Sequence, residues 1–73
     1  MAEVITRTLV LDGEETEISL ETGFWDALMR IADVHRKSVV AVIEDISDNT
    51  HDDSLSSAIR LFVLDHYRRR KQR

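Results

Sequence analysis

Thr16, Ile18 and Leu20 alternate with Glu15, Glu17 and Ser19, a period of two that marks a strand with one buried face. Upstream, Arg7-Thr8-Leu9-Val10-Leu11 is rich in strand formers and runs into Asp12-Gly13. Both turn residues tolerate positive φ, so the dipeptide predicts a type I′ hairpin over residues 6–20. Beyond residue 22 the period changes. Phe24, Trp25, Leu28, Ile31, Ala32 and His35 recur at helical offsets and predict an amphipathic helix over about 22–36, with Thr22 as its cap. On its polar face, Asp26 with Arg30 and Asp33 with Lys37 are spaced to pair. Ser38 is placed to cap a second helix, over 38–47, that turns Val39, Val42, Ile43 and Ile46 inward. The polar stretch 47–53 reads as a loop, and Asp53 or Ser54 would cap a third helix over 54–69. Its main stripe is Leu55, Ala58, Ile59, Phe62, Val63 and His66, while Leu61 and Leu64 add a second apolar side. So wide an apolar arc should meet two neighbours, one of them expected in a partner chain.

The pattern predicts an α+β fold, one domain over residues 1–73 with a hairpin followed by three helices. A domain of this size buries only about 60% of the surface its unfolded chain exposes. Disulfides, metals or oligomerisation usually make up the difference, and the sequence has no cysteine and three scattered histidines. An isolated hairpin is also marginal in water. Both considerations predict an intertwined homodimer in which strand 15–20 pairs with its two-fold mate. Thr16, Ile18, Leu20, Trp25, Leu28, Ile43, Ile59 and Phe62 would form the shared core. With no long apolar run and no signal-like start, a cytoplasmic location is expected.

Charge adds an asymmetry. Residues 1–53 hold four Lys and Arg against thirteen Asp and Glu, while residues 54–73 hold six against one. A basic face, the usual footprint of nucleic-acid binding, is therefore missing from most of the chain. The basic run 68–73 reads first as a solvated, fraying helix end that complements the helix dipole.

Catalytic and cofactor chemistry finds little support. His51-Asp52-Asp53 has metal-capable side chains but lacks the four-ligand spacing of a structural site. Ser56 and Ser57 near His51 and Asp53 lack a nucleophile elbow or an oxyanion loop. Phe24 and Trp25 lie on the helical stripe, which makes them core residues rather than base-stacking ones. No enzyme activity, metal or cofactor is expected.

Three segments carry a family resemblance: Thr16-Glu17-Ile18-Ser19-Leu20-Glu21, Phe24-Trp25-Asp26-Ala27-Leu28 and Leu55 to Leu64, the last followed by His66-Tyr67-Arg68. Over roughly residues 7–68 the chain resembles the ribbon-helix-helix class of DNA-binding proteins. More narrowly, it resembles a bacterial subgroup with a leading hairpin and an extra C-terminal helix. The resemblance implies a homodimeric transcription regulator that binds double-stranded DNA through outward ribbon side chains, here Glu15, Glu17 and Ser19. It also implies that the start of the second helix, at Ser38 and Val39 with Arg36 and Lys37 beside it, lies against phosphate. Related ribbons commonly carry Arg, Lys, Asn or Gln where this one has two glutamates. Glutamate can accept from the cytosine amino group, but it repels phosphate. Arg7, Arg36-Lys37 and the C-terminal arginines are the cations available to offset it. An acidic ribbon would equally suit a basic protein partner, with no DNA involved.

Overall fold

Asp12 at φ 51° and Gly13 at φ 86° both occupy the left-handed region, as a type I′ turn demands. The turn joins β1 (Val4–Leu11) to β2 (Glu14–Glu21) in an antiparallel pair that sets Ile5 opposite Leu20, Arg7 opposite Ile18 and Leu9 opposite Thr16. A computed structural model describes residues 3–50 and 54–71. Behind the hairpin come α1 (Thr22–Val34), α2 (Val39–Asp48) and α3 (Leu55–Lys71).

One face of the hairpin roofs the helices. Ile18 and Leu20 are buried on β2 and Leu11 on β1, with Ile5 and Leu9 partly covered. Beneath them lie Trp25, Leu28, Ile31 and Ala32 of α1, Val42, Ile43 and Ile46 of α2, and Ile59 and Val63 of α3. Six of the eight residues expected in the core are fully enclosed within a single chain, while Thr16 and Phe62 are only partly buried. The Trp25 indole N–H donates to the Ile5 carbonyl at 2.9 Å, which satisfies the one polar atom of that ring. No buried side-chain polar atom among the described residues lacks a partner.

The helix ends differ in part from the sequence pattern. Thr22 lies inside the first turn of α1, and Glu21 takes the N-cap position without a side-chain bond, because β2 runs directly into the helix. At the other end α1 stops at Val34 in a Schellman motif, with Lys37 N–H bonded to Ala32 C=O and Arg36 N–H to Asp33 C=O. Arg36 therefore holds φ 58°, where glycine is the usual residue and a side chain costs about 1 kcal/mol. Ser38 caps α2 as expected, its hydroxyl accepting from Ala41 N–H at 3.0 Å. Ser54 caps α3 in the same way, through Ser57 N–H at 3.2 Å. Lys37 bonds Asp45 of α2 at 2.9 Å instead of Asp33. Asp26 and Arg30 form no ion pair.

Candidate nucleic-acid interface

Strand parity sorts the side chains of the hairpin. With Ile18 and Leu20 inward, β2 turns Glu15, Glu17 and Ser19 outward, opposite Val10, Thr8 and Thr6 of β1. Glu15 and Glu17 are exposed, and Ser19 is half-buried with its hydroxyl 2.7 Å from that of Thr6. Val10 and Val4 are exposed on the same side, at 56% and 55%.

The backbone follows the same parity. Thr22 N–H donates to Glu3 C=O at 2.8 Å, which fixes the phase of the ladder. By alternation, the N–H and C=O groups of Glu15, Glu17 and Ser19 point away from β1, toward the outer edge of β2. Among the described residues no further strand lies along that edge. The residues whose side chains face outward are thus also those whose main chain is open to pairing.

Arg7 is not among them. It stands opposite Ile18 on the inner side of the hairpin, its guanidinium 5.4 Å from the centre of the Trp25 ring. The expectation that Arg7 offsets the ribbon carboxylates therefore fails, because odd-numbered β1 residues face the helices. Since a two-residue turn pairs Leu11 with Glu14, this orientation was already implicit in the sequence.

Both ends of β2 carry acidic contacts that no local pattern announces. At the turn, Asp12 N–H donates to the Glu44 carboxylate of α2 at 2.9 Å. The charge of Glu44, with burial and Asp48 adding to it, raises the Asp12 carboxyl above its ordinary pKa. At the helix end, the Arg60 guanidinium grips Glu21 in a bidentate pair at 2.9 and 3.3 Å. That hydrogen bonding, more than the charge itself, lowers the Glu21 pKa. Arg60 also lies 6.0 Å from the Phe24 ring centre, so α3 is tied to the strand–helix junction.

The expected phosphate-contacting residues gather where α1 ends and α2 begins. Arg36, Lys37 and Ser38 are exposed, and Val39 is half-buried. The Ser38 hydroxyl is occupied by Ala41, so any anion at this helix start would meet backbone N–H groups and the flanking cations. His35 and His66 bring α3 to the same place, with ring centres 6.1 Å apart and edge to face. Residues 51–53, weighed as metal or triad candidates, lie outside the described residues. No cluster of three or more His, Cys, Asp or Glu able to hold a metal occurs among the described ones. No described helix is long and apolar enough to cross a membrane.

A hairpin roof with an open outer edge, joined to a helix pair with a capped second helix, defines a small ribbon-type domain. The family model for the ribbon-helix-helix domain matches residues 4–67. The chain belongs to the ribbon-helix-helix domain family, whose members are typically dimeric, non-enzymatic regulators that bind DNA. Comparison with curated proteins gave no match, and neither did comparison with solved structures.

Proposed function

We propose that this chain is a homodimeric, DNA-binding transcription regulator in which β2 pairs with β2 of a second copy to form the ribbon. The open β2 edge, with its main-chain groups at Glu15, Glu17 and Ser19, carries this reading. In the paired ribbon, Glu17 and Ser19 read base edges and Glu15 flanks them. Arg36, Lys37 and the amides at Ser38 and Val39 hold phosphate. Light scattering at micromolar concentration is expected to return the dimer mass, and a clean monomer overturns the proposal. Binding to genomic DNA fragments across a salt titration tests the second half, and no affinity even at low salt rules DNA out.

The acidity of the outward face favours one other reading. With Glu15 and Glu17 facing out and Arg7 facing in, the same dimer would suit a basic protein partner. Recovery of one stoichiometric protein without DNA, by affinity capture from the host, would support that reading.

A further inference from the structure

Acidic groups gather at the hairpin turn, and most of the described cations lie around the α1–α2 turn and the end of α3. At the turn end of the hairpin stand Asp12, Glu14, Glu15, Glu44 and Asp48, and the cation nearest in sequence, Arg7, is turned inward over Trp25. At the other pole three elements meet. α1 ends there, α2 starts there, and α3 runs on past His66 to Lys71. The segment from Arg68 is thus helical through the last described residue, Lys71. Arg68 and Arg69 are exposed and follow directly on His66 and Tyr67, the α3 residues that reach His35 and the end of α1.

The cations at this pole are Arg30 of α1, Arg36 and Lys37 of the turn, and Arg68 and Arg69 of α3. Arg30 lines a shallow cleft with Ile31, Asp33, Val34, His66 and Tyr67, which places it beside the end of α3. Among the described residues Arg30, Arg36 and Arg68 form no ion pair. Lys37 is held by Asp45 and Arg69 by Asp65, in pairs whose side chains are half or more exposed and therefore readily exchanged for phosphate. Asp33 and Asp26 are further acidic groups here, each lining a cleft with Arg30. The open amides of α2 and these cations all suit an anion.

We propose that the last turn of α3, through Arg68 and Arg69, joins Arg30 and the α1–α2 turn in a surface that binds the phosphate backbone of duplex DNA. On this assignment the pole supplies the electrostatic affinity that the acidic ribbon lacks. The ribbon carboxylates then discriminate among bases without having to attract the duplex. The proposal rests on the DNA-binding reading above and adds to it which surface provides the attraction.

Fluorescence anisotropy with a labelled duplex of random sequence, titrated between about 50 and 200 mM salt, tests it. The R68E/R69E variant is expected to bind at least about tenfold more weakly and to flatten the slope of log K against log salt by about two per protomer. R68K/R69K should keep the wild-type slope, because a point charge is enough for a phosphate contact. Arg30→Gln is a second probe on a different helix, expected to lower the slope by about one. Unchanged affinity and slope in R68E/R69E, with wild type binding normally, overturns this assignment and leaves the DNA reading intact. Loss in R68K/R69K equal to that in R68E/R69E also overturns it. Absence of binding by the wild type removes both. Vesicles of anionic phospholipid should bind weakly, and tighter binding to them than to duplex overturns the choice of DNA.

Discussion

The two faces of the hairpin share one backbone and obey different constraints. On the inner face, Ile18 and Leu20 are buried in one core cluster with residues of the helices, so their identity is dictated by packing. On the outer face, Glu15 and Glu17 touch no core residue, so only solubility and partners bear on their choice. The comparison shows that packing dictates only alternate residues of this strand and leaves the others free to vary.

Substitutions along the hairpin sharpen that contrast. Leu20→Ala, on the inner face, should cost about 2–5 kcal/mol, a large part of the stability of any small domain. A urea midpoint close to wild type would show that the helices do not depend on their roof. Arg60→Met tests the strand end, where outer-face parity is overridden by a helix. Because the folded Glu21 pKa is lowered, the pair stabilises above the ordinary carboxylate pKa. That contribution is lost as pH falls through the lowered value. Arg60→Met should therefore be less stable at pH 7 and show a flatter acid limb in midpoint against pH. Asp12 has the opposite sign. Its raised pKa means that ionisation opposes folding, an effect relieved as pH falls through the raised value. Asp12→Asn keeps a residue suited to positive φ and removes the repulsion from Glu44. It should raise the melting temperature at pH 7, with the gain vanishing in acid. Smallest of all, Glu17→Gln should move stability by no more than about 0.5 kcal/mol. A larger loss would mean that the outer face has a structural role.

Legibility in the sequence followed the range of the interaction. The turn, the strand alternation and the Ser38 and Ser54 caps rest on residues a few positions apart, and patterns of that reach are visible in one chain. Thr22 misled because such a residue caps only from an extended conformation, and here the extended position before the helix is held by Glu21, the last residue of β2, so Thr22 already lies in the first turn. The Glu21–Arg60 pair joins residues 39 positions apart, and the Asp12–Glu44 contact joins residues 32 apart. Nothing local announces either one. The candidate site was half visible. Glu15, Glu17, Ser19 and Ser38 could be placed by parity and capping, whereas the meeting of the α3 end with the α1–α2 turn depends on how three helices pack.

The left-handed Arg36 has a consequence for ligand capture at that turn. Four residues, His35 to Ser38, separate α1 from α2, and three of them are fixed by the Schellman bonds and the Ser38 cap. The joint between the helices is an elbow with almost no free torsion. Whatever anion arrives at the start of α2 therefore meets amides that are already aimed. Little conformational entropy remains to be lost on binding there, and the backbone cost at Arg36 is borne in advance, when the chain folds.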